Sequence, residues 1–288
     1  MNSIAILLVV LSAFIHALRN LFTKQSYDKE VFIWWYIFIG LVLYAPVLAC
    51  VLSKSENSFV GIWIGVLSGV VHFLYWVFMG KSFSYGDLSL TYPIMRSSPA
   101  LVLILSIVFL NEDITLVGGL GIILIVISMY VPNVNKFIYK NYNKNNKKNT
   151  KAILYAFLTM VMVSSYSIID KIGVHYFHPL VFNYLLMLSG FLFMTFYVIS
   201  NKGLKKLKES WGQNKITIVL NGVFVFLSYS LILYAFTIER ASYIVGLRQV
   251  SVVFAVIMGG VFLKEKEVKW RVVSALGVFG GALCISLG

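Results

Sequence analysis

The stretch that decides the fold occurs twice, as SLTYPIMRSSPALVLILSIVFLNE at 89–112 and as SYIVGLRQVSVVFAVIMGGVFLKE at 242–265. At a constant offset of 153, Ser89 falls on Ser242, Ser98 on Ser251, Phe109-Leu110 on Phe262-Leu263 and Glu112 on Glu265. Each copy carries a predominantly apolar run of the length that crosses a bilayer as a helix, about 20 residues.

The rest of the chain has the same character. Of its 288 residues 59% are apolar and 12% charged, with a mean hydropathy of +0.86. A soluble domain is about half apolar and about one-quarter charged, so the solvent implied here is lipid. Apolar stretches at 3–22, 31–52, 59–79, 88–110, 114–131, 152–172, 179–200, 215–236, 241–263 and 270–287 predict ten spanning helices. They leave no room for a separate catalytic domain of ~100 residues. The first stretch lacks a basic n-region and reads as a spanning helix, not a signal peptide.

Polar punctuation separates the spans, including Asn201 to Asn214 and a tract from Pro132 to Lys151 that is Asn/Lys-rich over Asn141 to Asn149 and reads as a linker. The net charge of +13 follows topology, not nucleic acid. The loops after helices 1, 3, 5, 7 and 9 hold 18 of the 24 Lys and Arg residues; the other loops hold Lys54, Lys171 and Arg240, and Arg19, Arg96 and Arg248 lie inside helices. Positive-inside then places the odd loops in the cytoplasm and both termini outside the cell membrane. Cys50 and Cys284 sit alone in apolar runs and are expected as buried thiols, with no disulfide and no metal.

The linker divides the helices five and five: 1–131, linker 132–151, and 152–288. A duplicated unit with an odd number of spans inserts in opposite senses, so the expected fold is an all-α polytopic membrane protein of two inverted five-helix repeats, with a site near the midplane. Each half ends on a Gly-rich helix, Gly118-Gly119-Leu120-Gly121 in one and Gly277 with Gly280-Gly281 in the other.

This sequence resembles the drug/metabolite transporter superfamily, in particular its EamA-like ten-helix members. The resemblance spans the chain and rests on Ala17-x-x-Asn20-x-x-x-Lys24 closing helix 1, Tyr92-Pro93-x-x-Arg96 in helix 4, and Phe109-Leu110-x-Glu112 with its echo Phe262-Leu263-x-Glu265. It implies a secondary carrier of small organic metabolites, with no enzymatic activity and no cofactor. It further implies a cavity lined by the first four helices of each half, the fifth helices lying at the periphery. Many relatives carry Trp near the position of Arg19, a departure that weakens any inference of substrate from them.

Ionisable groups inside spans normally face a cavity or each other. Arg96 and Arg248 lie about 12 Å and 10 Å into helices 4 and 9 at 1.5 Å per residue, approaching the midplane from opposite sides. In register, Gln249 matches Arg96 and Arg248 matches Met95. Arg19, nearer the cytoplasmic end of helix 1, can line the same cavity or snorkel. The acids available to neutralise them are Asp170, Glu239 and Asp87, none in mid-span. Three arginines around one cavity favour a carboxylate, phosphate or phosphonate, which a guanidinium grips bidentately. The alternative is that Arg96 and Arg248 hold backbone carbonyls or Asp170.

Helical spacing adds His16 and Asn20 beside Arg19, His72 beside Trp76, Tyr92 beside Arg96, Tyr166 beside Asp170, and Tyr229 next to Ser228, which shares a face with Asn221. Polar tips among aromatic walls are the usual form of a small-molecule site. His16, His72 and Asp170 are the groups that can couple transport to protons; exchange for a counter-solute is the other route. Trp34, Trp35, Trp63 and Trp270 suit an interfacial belt. Gly61, Gly65 and Gly69 suit close helix contact. Pro93 and Pro99 predict a break in helix 4 beside Arg96. His175 and His178 lack the Glu and the setting of a zinc motif.

The sequence has no GxxxxGK[ST], GxSxG or HExxH. The expected function is alternating-access transport of a small anionic or zwitterionic metabolite across the cell membrane. The alternatives are a flippase for a phosphate-bearing lipid, an amine or drug-type exporter, and, least favoured, an intramembrane lipid-phosphate enzyme. The partners expected are the bilayer and a small-molecule substrate, with the chain a monomer or homodimer.

Overall fold

The computed structural model describes residues 1–26, 28–52, 58–86, 88–131, 147–255, 257 and 269–288. Among them the chain is helical and contains no strand. The helices are α1 (Ser3–Gln25), α2 (Lys29–Leu52), α3 (Phe59–Tyr85), α4 (Leu88–Arg96), α5 (Ser98–Leu110), α6 (Leu116–Tyr130), α7 (Lys147–Gly173), α8 (Pro179–Ile238), α9 (Ala241–Leu247) and α10 (Lys269–Leu287). A 3₁₀ turn, Arg248–Val250, and a further helical stretch, 251–255, follow α9.

Among the described residues six helices are long and apolar enough to cross a bilayer: Lys29–Leu52, Phe59–Tyr85, Thr91–Leu110, Lys148–Gly173, Pro179–Gly212 and Lys215–Ile238. Four shorter apolar helices accompany them, at Ser3–Arg19, Leu116–Tyr130, Ala241–Ala255 and Val272–Leu287. In hydrocarbon every backbone group must be satisfied internally, which is why apolar runs of this length take up helix. Their ends are capped locally: Asn2, Ser58 and Thr115 accept from Ile4 N, Gly61 N and Gly118 N at 2.8, 3.1 and 3.0 Å.

The structure departs from the sequence reading at several places, for physical reasons. The stretch Asn201 to Asn214, expected as a loop, is helical. It belongs to α8, which doubles back on itself: Asn183 Nδ2 donates to Phe226 O at 3.1 Å and to Ser230 Oγ at 2.8 Å. Within the stretch Gly203 has a φ of 77°, which only glycine adopts without strain. Beyond it Lys205, Lys206, Lys208 and Glu209 are good helix formers, and the turn is seated by buried Leu207, whose carbonyl accepts from Trp35 Nε1 at 2.8 Å.

The expected fourth span is broken at Ser97, as the prolines predict. Pro99 has no N–H to give to Met95 and Pro93 none to give Ser89, and the chain tightens to bonds of Ser97 N with Ile94 O (3.2 Å) and Ala100 N with Ser97 O (3.1 Å). The ninth span breaks at the equivalent place with no proline to compel it. There Gly246 stands where the first half has Pro93, and Gln249 Nε2 reaches the Val245 carbonyl at 3.4 Å, competing for the acceptor that the helical N–H would use.

The thiols are not buried: Cys50 is exposed and Cys284 half-exposed. Both lie on helices whose outer faces are apolar, where a small hydrophobic side chain meets lipid at no cost. Trp34 and Trp35 turn inward from the expected belt, Trp34 Nε1 donating to Thr195 Oγ1 at 2.8 Å, while Trp63 and Trp270 stay exposed.

Packing brings the two ends of the sequence together. Elements α3 and α7, α1 and α8, and α2 and α8 are the main partners around the core, with α6 and α10 paired to one side. Glycines permit the close approaches. A Cβ on Gly69 would sit 2.5 Å from Leu186 O, one on Gly40 2.9 Å from Gly222 O, and one on Gly121 2.6 Å from Gly281 O.

Candidate substrate site at the centre of the bundle

The breaks at Ser97 and at Arg248–Val250 set the position of the central polar groups, because each interrupts a helix next to an arginine. Arg96 is the last residue of α4, half-buried, with its guanidinium over the Tyr92 ring at 5.0 Å. Its Nη1 donates to Oε1 of the buried Gln249 at 3.2 Å. These two residues are 153 apart, the offset of the internal match, so Arg96 touches its own counterpart. Arg248, beside Gln249, lies over the Tyr229 ring at 5.5 Å.

The face of α1 that carries His16 and Arg19 completes this group. Arg19 Nη2 donates to His16 Nδ1 at 3.1 Å, which leaves the imidazole proton on Nε2, and the guanidinium lies 5.8 Å from the Tyr36 ring. Arg19 is therefore turned inward and half-buried instead of snorkelling. The Arg248–Val250 turn packs against α1, and Arg96 reaches Gln249 within that turn, so the three arginines stand on adjoining elements. Among the described residues none of the three arginines is within ion-pair distance of a carboxylate.

The acids are engaged elsewhere. Asp170 is completely buried, accepting from the Ser68 hydroxyl at Oδ1 and from the Tyr229 hydroxyl at Oδ2. His72 donates from Nδ1 to the Ser68 carbonyl at 2.9 Å, and its Nε2 stands 3.9 Å from Asp170 Oδ2 with no hydrogen-bond partner. The His72 ring stacks on Tyr166 with centroids 4.0 Å apart and meets Tyr229 edge-on at 5.3 Å. The expected alternative, Arg96 or Arg248 ion-paired to Asp170, is thus not what the structure holds; Arg248 acts on Asp170 only through space. Glu239 lies away from the arginines, accepting from Asn2 N and Arg240 N at 3.0 and 3.1 Å. Asp87 and the side chain of Asn20 lie outside the described residues.

The expected site residues therefore form two adjoining groups that share Tyr229: the arginines with His16, Tyr92 and Gln249, and Asp170 with His72 and Tyr166. Trp76 is at the edge, 6.2 Å from the His72 ring and packed against Gly190. Asn221 bonds back to its own helix at Thr217 O and belongs to the packing. Spacing missed Ser68, Tyr36 and Tyr75. Tyr75 meets Tyr166 edge-on at 5.8 Å and acts on Arg96. The signal for Ser68 was present, since it lies one turn before His72; nothing in sequence marks Tyr36 or Tyr75 among 17 tyrosines.

The sequence profile of the EamA-like transporter family matches the chain twice, over residues 3–133 and 150–287. The chain belongs to that family. A crystal structure of another protein superposes on it with a TM-score of 0.74 at 14% identity, covering 100% of this chain and 99% of that one, which establishes shared fold alone. No curated protein matches the sequence. As an EamA-family chain with this many apolar helices it is an integral membrane protein, and the family's members are transporters of small solutes, not enzymes.

Proposed function

We propose that this chain is a secondary carrier that moves a small anionic or zwitterionic metabolite across the cell membrane by alternating access, with halves 1–131 and 152–288 inserted in opposite senses. The observation that carries the reading is Arg248. It is a guanidinium inside the bundle, and among the described residues it has an aromatic face beneath it but no hydrogen-bond acceptor and no acid. A cation in that setting is costly unless something satisfies it, and an oxyanion from a substrate does so bidentately.

The inverted arrangement is supported by two contacts. Exchanging the halves maps the α3–α7 pair onto the second arm of α8 with α1. Both pairs pack, the latter tied by Ser12 Oγ donating to Ser228 O at 2.7 Å. A residue in contact with its own repeat counterpart, as Arg96 is with Gln249, lies beside a two-fold axis, where such carriers place their substrate.

The test is a thermal shift of the purified protein with carboxylates, phosphates and phosphonates against amines, since a ligand of the folded state raises the midpoint by mass action. Anions should stabilise the protein, and Arg96→Ala and Arg248→Ala should abolish the effect while Arg19→Lys is milder. Stabilisation by amines alone would remove the arginines from the site. Coupling is assigned to the Asp170 cluster, because Ser68 and His72 come from the first half and Asp170 and Tyr229 from the second. Asp170→Asn should uncouple flux from an imposed pH gradient; an unchanged response would clear Asp170 of that role. A C-terminal reporter active only in the cytoplasm should stay silent, and a bright signal would reverse the orientation.

A further inference from the structure

The charge in the site defines its occupant more narrowly than "anion", on the reading just given. Arg19, Arg96 and Arg248 bring three positive charges to the place where α1, the end of α4 and the Arg248–Val250 turn meet. Among the described residues, Asp170 is the carboxylate joined to this neighbourhood, through Tyr229, whose hydroxyl it accepts from and whose ring lies under Arg248, and it brings one negative charge when ionised. Asp28 and Glu30 are held by Lys202 at 3.3 and 3.0 Å. Glu112 and Glu239 are bound to backbone N–H groups. Among the described residues the excess is therefore two positive charges with Asp170 ionised and three with it protonated. Protonation of either histidine only adds to it.

An excess of two inside a low-dielectric bundle is not balanced by a carboxylate with a single charge. The three guanidiniums also come from three different elements that meet, α1, α4 and the turn after α9: Arg19 bonds His16 on α1, the Arg248–Val250 turn packs against α1, and Arg96 bonds Gln249 within that turn. Aromatic rings and hydrogen bonds hold each in place: Arg19 by Tyr36 and His16, Arg96 by Tyr92 and Gln249, Arg248 by Tyr229. Cations that converge from separate elements surround a compact group. We infer that the occupant bears a single dianionic head, a phosphate monoester or phosphonate, with its oxygens shared among Arg19, Arg96 and Arg248. Such a head offers three equivalent oxygens, one for each arginine.

Three probes separate the outcomes in a thermal-shift titration of the full chain at mildly alkaline pH. They are methylphosphonate, which is doubly charged there, its monomethyl ester, which is singly charged, and malonate, whose two charges sit on separate carboxylates. Methylphosphonate should act at concentrations about tenfold lower than either of the others, the gain of one further charge-assisted grip. Arg19→Gln should bring phosphonate and ester to within about threefold of each other, whereas Arg19→Lys, which keeps the charge, should preserve the preference. A short-chain phosphatidic acid that stabilises where methylphosphonate does not would keep the dianionic head and name a lipid as its source. Equal stabilisation by phosphonate and ester would overturn the dianion while leaving the anion carrier intact. Preference for malonate would overturn the compact head. A response to none of the anions would take the anion reading down with it.

Discussion

Two clusters of charge in this molecule join the halves in different ways. At one end of the bundle, Glu112 accepts from Ala241 N, from Ser242 N at 3.2 Å and from Ser242 Oγ at 2.7 Å. Lys171 there donates to the carbonyls of Phe236 and of Glu239, the latter at 2.8 Å, while Glu239 takes Asn2 N and Arg240 N. Each of these charges has protein partners. In the centre, among the described residues, the arginines have rings, an amide and an imidazole, and Arg248 only a ring. Charge that the protein satisfies itself is a fastening. Charge left with spare donors is held ready for something that is not protein.

That contrast makes opposite predictions for removing charge at the two places. Glu112→Ala should cost about 2–3 kcal/mol, since three donors lose a charged acceptor and water at this half-exposed position replaces only part of it. A thermal midpoint in detergent measures the loss, and an unchanged midpoint would mean that the end cluster fastens nothing. Arg248→Met should leave the ligand-free protein as stable as before, or more stable by about 1–2 kcal/mol, because it removes a partly buried cation without a counter-charge. A marked loss of stability in that variant would make Arg248 a structural residue and erase the distinction between the clusters.

A smaller effect belongs to Gln249, the residue through which the centre borrows a fastening. Gln249→Leu should weaken binding of an anionic ligand by about fivefold, the worth of one hydrogen bond of ~1 kcal/mol, because Arg96 loses the amide that aims it. The midpoint of the ligand-free protein should barely move. Loss of stability without loss of binding would place Gln249 with the packing.

The end cluster and the centre were also unequally legible in sequence. The match at 153 residues carried the two halves, and the rule that charge inside a span faces inward carried Arg96 and Arg248, because both depend on residue type and spacing alone. Glu112 was visible as one end of a repeat but its partner was not, since capping Ala241 and Ser242 requires two segments some 130 residues apart to meet. The break at Arg248–Val250 was hidden for a related reason. Proline announces a break in helix 4, whereas in its counterpart the competing acceptor bond of Gln249 exists only once the helix is folded. The helical turn within α8 was misread because lysine-rich polar composition suits a surface loop and a surface helix equally, and what seats it is Trp35, from another helix. Asp170 was placed at a helix end, yet it is completely enclosed, its enclosure being made by Ser68 and Tyr229 from elsewhere in the chain.

The smallest expected effect tests the fastening cluster by pH. Burial alone would raise the Glu239 carboxyl, but the backbone N–H bonds from Asn2 and Arg240, the N-terminal ammonium and the Arg240 charge outweigh it and hold the group below the usual carboxylate range. A carboxyl depressed in the folded state contributes stability that is complete above its unfolded pKa and fades as the pH falls through the folded value. The contribution of Glu239 should thus be constant at neutral pH and decline only below the ordinary carboxylate range, and Glu239→Gln should remove that part of the acid limb. Partial exposure and salt screening keep the effect small. Midpoints measured against pH in wild type and variant give the difference directly. A difference that grew as the pH rose above neutrality would have the wrong sign for a fastened acid, and would return Glu239 to the group of charges that await a ligand.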